Sequence, residues 1–338
     1  MKQIITNKRR PKIVVIGGGT GLPVILKSLK EKDADVTAIV TVADDGGSSG
    51  ELRKSFNAVP PGDLRNVLIA LSDIPELQKE IFQYRFKMCD SSLSGHTIGN
   101  LIIQATADMR GNIYDAIQLL ATMMHVKGHV YPAAEEPLVL HARYMDGTTQ
   151  AGESLIPKSG KMIDYVAVSC VEGRKPVHAS RKVISSIMDA DMVVLGPGSL
   201  FTSILPNIMI PDIGKALLDT EAKVVYISNI MTQLGETEGL SDADHVRVLH
   251  KHLGKRFIDI ALTNNGVVPS DYISQESGNE YLLQVEHDFK GLQEEVPLII
   301  SDDFLKLLPR GVYHDGEKAA EEIFRTAFNS QRKINNYL

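Results

Sequence analysis

The sequence has 338 residues, 43% of them hydrophobic, with a formal charge of −6, enough for a large buried core in one or two domains. The acidic balance argues against nucleic acid as the main partner, because duplex binders carry a basic surplus. Cys89 and Cys170 can form no disulfide framework, MKQIITNKRR lacks a signal-peptide core, and no run nears the roughly 18 apolar residues of a membrane span, so the expectation is a cytoplasmic protein.

Strand-like runs of Val and Ile alternate with helical patterns, the signature of a parallel sheet covered by helices. A first strand is predicted over Lys12 to Ile16, its helix over Leu22 to Lys30, and a second strand over Val36 to Val42. Asp63 stands before LRNVLIALSD as a candidate helix N-cap. A further helix is expected from Pro75 to about Phe86, and GHTIGNLIIQATADM reads as an apolar helix whose edge suits a homodimer. Between about 129 and 178 the texture changes, and Asp146-Gly147 signals a hairpin, so a small antiparallel insertion is expected there. The α/β alternation returns at DMVVLGPGSLFTSILP, AKVVYISNIMTQLGETEG and FIDIALTNNGVVP. The fold class is therefore α/β: a Rossmann-like, mostly parallel sheet with helices on both faces and a small antiparallel insertion. One nucleotide-binding domain is expected over 11–300, with 301–338 a helical segment packed on it.

Glycines carry the chemistry. In VVIGGGTGLP, Gly17 to Gly21 separate a strand from a helix, where bare backbone N–H groups and the helix N-terminus suit a phosphate. Gly17 and Gly19 fit the dinucleotide fingerprint, but its third glycine is Leu22, and no P-loop follows. A tight turn without a ligand is the bland alternative. In TVADDGGSSGELR, Asp44 or Asp45 suits a ribose hydroxyl or Mg²⁺. Residues 46–50 also spell G-x-S-x-G, a match discounted because two aspartates separate it from the strand and no partner histidine is evident. LGPGSLFTSILP offers a second phosphate turn, and SNIMTQLGETEG offers Asn229, Thr232, Gln233 and Glu236 to a base or sugar. His125 with His129, and His245, His250 and His252, lack metal-site character; the latter three read as a solvated helix face.

In that order, IGGGTGL, ADDGGSSGELR, PGDLRN, SGHTIGN, LGPGSLFTSILPN and SNIMTQLGETEG resemble the YvcK family of bacterial gluconeogenesis factors, within the superfamily of the 2-phospho-L-lactate transferase CofD. The resemblance runs from about Lys12 to at least Pro269. It implies a cytosolic protein needed for cell shape and wall synthesis on gluconeogenic carbon, binding UDP-sugars such as UDP-N-acetylglucosamine and serving an unidentified wall-synthesis partner. The transferase relatives move a phospholactyl group from a guanosine diphospho-lactate donor with Mg²⁺, and Asp44 and Asp45 match their acidic pair. Where a second acidic cluster is expected, this chain has Asp63, Arg65 and Asn66, and the arginine suits holding a phosphate rather than transferring one.

The expected ligand-binding set is Gly18, Gly19, Thr20, Gly21, Leu22, Asp44, Asp45, Gly46, Asp63, Arg65, Asn66, Asn100, Gly196, Gly198, Ser199, Asn229, Thr232 and Gln233, with no metal ligand or catalytic residue assigned. The leading reading is a UDP-sugar-binding regulator without turnover and without a firm cofactor. A Mg²⁺-dependent transferase using Asp44, Asp45 and Asp63 is the alternative. A nicotinamide-dependent oxidoreductase shares the scaffold but shows no hydride-transfer machinery.

Overall fold

A computed structural model describes residues 9–87, 93–171, 176–270, 283–309 and 311–335. Cys89, most of the N-terminal stretch and residues 172–175 of the expected insertion lie outside the described residues. The chain opens with β1 (Lys12–Gly17), α1 (Gly21–Leu29) and β2 (Asp35–Val40). It then stays helical through α2 (Gly47–Phe56), α3 (Gly62–Leu71), α4 (Glu76–Gln83), α5 (Ile98–Arg110) and α6 (Ile113–Met123), before β3 (His129–Pro132). The strands β4 (Leu138–Tyr144), β5 (Thr149–Ala151) and β6 (Ile163–Cys170) follow. After α7 (Arg181–Met188), β7 (Met192–Leu195) leads into a π-helical turn at Leu200–Ile204, then α8 (Leu205–Ile208) and α9 (Pro211–Asp219). Next come β8 (Lys223–Ile227), α10 (Asp242–Leu253), β9 (Ile260–Asn264), α11 (Phe289–Glu295) and β10 (Leu298–Asp302). A hairpin of β11 (Leu305–Leu308) and β12 (Gly311–His314) precedes α12 (Gly316–Asn335).

Seven strands form one sheet in the order β10-β9-β8-β7-β1-β2-β3, every neighbouring pair parallel. β1 and β7 are buried nearly throughout, as strands covered on both faces must be. On α1, Leu22, Ile25, Leu26 and Leu29 repeat at helical spacing and are fully buried, each contributing about 1.5–3 kcal/mol. β2 follows β1 on one side while β7 flanks it on the other, so the strand order reverses at β1. Ligands of open α/β sheets bind at the carboxyl edge of such a reversal.

Several expectations are corrected. β3 belongs to the parallel sheet, pairing with β2, so the antiparallel insertion is the smaller sheet β5-β4-β6. The second strand ends at Val40 rather than Val42. α2 is an element that the sequence does not announce, because GSSGELRKSF is poor in helix formers; contacts hold it, with Arg53 donating to the Ala43 and Asp44 carbonyls at 3.2 Å. Pro61, not Asp63, is the N-cap of α3, which leaves the Asp63 carboxylate free to reach the first glycine turn. The segment after 301 is not simply helical: β10 completes the sheet edge and the hairpin precedes α12. His245, His250 and His252 are buried rather than solvated, each imidazole paired.

Candidate functional site

Three strand ends supply the site. Gly18 has Thr41 and Asp63 packed where a side chain would stand, and Gly19 takes φ +66°. The Gly19 N–H donates to Asp63 Oδ2 at 2.8 Å, which ties the first glycine turn to α3. Gly21 faces the Pro197 carbonyl of the second turn, and a Cβ there would come within 2.8 Å of it. Gly196, at φ +88°, starts that second turn, which Gly198 and Ser199 complete. These two turns, Asn229, Gln233 and Ser203 line one cleft, with Val312, Tyr313 and His314 of the C-terminal hairpin as its outer wall.

The cleft presents backbone donors. Thr20 opens α1 and Ser199 opens the Leu200–Ile204 turn, and neither side chain caps its own helix. First-turn N–H groups lack intrahelical acceptors, so both N-termini suit an anion. Gln233 Nε2 donates to Ser199 Oγ at 2.7 Å, while Gln233 Oε1 is buried with no partner. Thr232 is different: its amide and hydroxyl are both engaged with Leu283, so it braces the loop. Leu22 is wholly buried in the core and offers the cleft nothing.

The second group of expected residues lies beside the first turn. Asp44 Oδ1 accepts the Gly46 N–H at 2.9 Å. Asp45 Oδ1 accepts the Ser154 N–H at 2.8 Å, so the antiparallel insertion docks onto the acidic pair. That docking delivers Glu153, which had no local sequence signal because it lies more than a hundred residues downstream. Burial pushes the Glu153 carboxyl up to about 8, helped by Asp44, Asp45, Glu236 and Asp63. Burial raises Asp63 to about 6, with the Gly19 N–H opposing, Asp44 adding and Arg65 opposing. Asp44 is raised too, chiefly by burial against hydrogen bonds from Gly46 and Ser49. Glu236 joins the group, accepting from Thr202 Oγ1 at 3.2 Å.

Arg65, which the sequence suggests for a phosphate, is engaged within the protein. Its guanidinium is buried and donates to Thr97 Oγ1, to Asn100 Oδ1 at 2.9 Å and to Asn66 Oδ1 at 2.8 Å. Arg65, Asn66 and Asn100 thus knot α3 to α5. Burial lowers Arg65 to about 10, with Arg85 adding to the effect. The residues do not fit a protein-only magnesium cage. Asp44, Asp45 and Asp63 each engage a backbone N–H, and among the described residues no three His, Cys, Asp or Glu groups converge as a metal donor set.

Residues 13–305 match the 2-phospho-L-lactate transferase CofD family. A relative from Streptococcus pneumoniae is 54% identical over 318 residues, 94% of this chain and 98% of its own. The gluconeogenesis factor of Listeria monocytogenes is 47% identical over 314 residues, 93% of this chain and 95% of its own. Among solved structures, a Bacillus halodurans protein matches with a TM-score of 0.89 at 39% identity, covering 93% of this chain and 99% of that one.

Proposed function

This chain belongs to the YvcK family of gluconeogenesis factors within the CofD superfamily, and we propose that it is a nucleotide-sugar-binding regulator. Its ligand is of the UDP-N-acetylglucosamine type, its setting the cytoplasm, and its role the control of cell shape and wall synthesis during gluconeogenic growth. One observation carries this reading: two helix N-termini that their own Thr20 and Ser199 side chains leave uncapped face the same cleft. That arrangement suits a diphosphate, with N–H groups from both sides. Asn229 and Gln233 then lie within reach of a base or sugar, and the buried Gln233 Oε1 accepts a ligand N–H or O–H.

Thermal unfolding tests the reading, with UDP-N-acetylglucosamine, GDP and NAD in parallel, each with and without Mg²⁺. A ligand at about a hundred times its dissociation constant stabilises by about 2.7 kcal/mol. Stabilisation by the UDP-sugar regardless of Mg²⁺ is expected, and Asn229→Ala removes most of it without changing the ligand-free transition. A shift by GDP only with Mg²⁺ points instead to the Mg²⁺-dependent transferase.

A further inference from the structure

We infer that Ser48 and His96, with the Glu51 carboxylate beside the imidazole, form a nucleophile–base pair that hydrolyses carboxylic esters, beside the nucleotide cleft and separate from it. Residues 46–50 read Gly-Gly-Ser-Ser-Gly, and the fold brings the missing base to them. His96 Nδ1 lies 2.9 Å from Ser48 Oγ, and Glu51 Oε2 lies 3.3 Å from His96 Nε2. With Nδ1 accepting the serine proton, Ser48 and His96 fill the nucleophile and base roles, and the Glu51 carboxylate beside Nε2 favours the imidazolium that forms. Asn100 Nδ2 donates to Ser48 Oγ at 3.4 Å and helps to set the hydroxyl.

The imidazole is held in place. The His96 amide donates to the Leu93 carbonyl at 3.0 Å, and its own carbonyl accepts from Phe86 at 2.9 Å. Its side chain is only 12% exposed, which limits its freedom to leave the serine. The backbone around Ser48 differs from a sharp strand-to-helix elbow, since residues 41–46 separate β2 from α2 and Ser48 stands on the first turn of the helix. It joins β2 to α2, and Gly47 takes φ +46°. A Cβ on Gly50 would overlap the Asp45 carbonyl, so glycine lets α2 fold back tightly and present Ser48 at its first turn. The N–H groups of Ser48 and Ser49 in that turn have no intrahelical acceptor and stand as donors to an oxyanion.

The surroundings select the substrate class. Asp44, Asp45 and Glu51 lie within four residues of Ser48 and repel a phosphate dianion, whereas a neutral ester carbonyl suffers no such repulsion. Ser48 Oγ attacks the carbonyl carbon and its proton passes to His96 Nδ1. The bond to the leaving alcohol breaks, and the alcohol departs with that proton. Water then attacks the acyl-serine, His96 takes its proton and returns it to the Ser48 oxygen, and the carboxylic acid leaves.

The test uses the full chain in two assays: p-nitrophenyl acetate hydrolysis, and fluorophosphonate labelling with peptide mapping. Wild-type protein is expected to hydrolyse above the buffer rate and to carry the label on Ser48. Ser48→Ala falls to the buffer rate. His96→Gln keeps a hydrogen-bonding group but takes no proton, so it loses at least about 100-fold. Both variants keep the wild-type response to UDP-N-acetylglucosamine, which separates this activity from the cleft. Wild-type hydrolysis at the buffer rate, Ser48→Ala as fast as wild type, or label on another residue with Ser48 bare would each overturn the inference. The labelling site decides the matter even where a variant folds poorly.

Discussion

Gly21 and Gln233 divide the cleft between packing and recognition. A methyl at Gly21 would press on the Pro197 carbonyl, so Gly21→Ala drives the two glycine turns apart. It is expected to cost about 1–3 kcal/mol in denaturant unfolding, and to weaken ligand stabilisation as a consequence. It therefore tests the fold more than the ligand. Gln233→Glu is the sharper probe, because it exchanges the donor on Ser199 for a negative charge between two anion-facing helix ends. Calorimetry should show at least a tenfold loss of UDP-sugar affinity, about 1.4 kcal/mol. Unchanged affinity would move the ligand elsewhere. Glu153 tests the acidic half. Its folded value near 8 stands above its ordinary 4.5, so its burial costs nothing below about pH 4.5 and its full amount above about pH 8. Glu153→Gln should raise Tm at pH 9 and leave it nearly unchanged at pH 4.5. Equal Tm at both values would mean the carboxyl is better hydrated than its neighbours imply.

At the scale of elements, α10 is where polarity misleads. DADHVRVLHKHLG looks like a wet helix, but polarity in a sequence does not distinguish a solvated histidine from one whose two nitrogens are satisfied inside. His252 Nε2 accepts the Val166 N–H at 3.0 Å, its Nδ1 lies 2.7 Å from the Val248 carbonyl, and its ring stacks on Tyr165 at 4.5 Å. This one side chain fastens the antiparallel insertion to α10. Burial lowers His252 from 6.5 to about 4, so its contribution is complete above about pH 6.5 and is lost as the pH falls through about 4. His252→Phe keeps the stack but orphans the Val166 N–H, which should cost about 1–3 kcal/mol. The protection factors of β6 amides, measured against the intrinsic exchange rate at each pH, are the direct readout, lower in the variant at pH 7 and lower in wild type on acidification. α2 was hidden for the opposite reason: weak local propensity, overridden by Arg53 and by the fit of Gly50 on Asp45. Its partner His96 was equally hidden, since only the fold brings residues 48 and 96 together.

Across the molecule, the alternation of apolar strands and amphipathic helices was legible, because a sheet buried on both faces needs continuous Val and Ile runs. So was the convergence of three glycine or polar turns on one edge. The hairpin was not: LKLLPRGVYH is short, and a strand pair that packs at a sheet edge needs no long apolar run. Its His314 Nε2 lies 2.9 Å from the Ser228 carbonyl at the end of β8, and α12 behind it packs on α1, with Gly316 against the Val24 carbonyl. UDP-sugar binding should therefore slow amide exchange in residues 311–314 together with the two glycine turns, and leave β4 and β5 unchanged. Hydrogen exchange by mass spectrometry reads this directly, and protection of the turns without the hairpin would take the ligand away from that wall.

β11 begins at Leu305, where the match to the CofD family ends, whereas the relatives that are 47% and 54% identical match across the hairpin as well. The two glycine turns and the wall opposite them lie on separate stretches of chain. That partition marks the hairpin as the segment to graft when a different cleft wall is wanted on this scaffold.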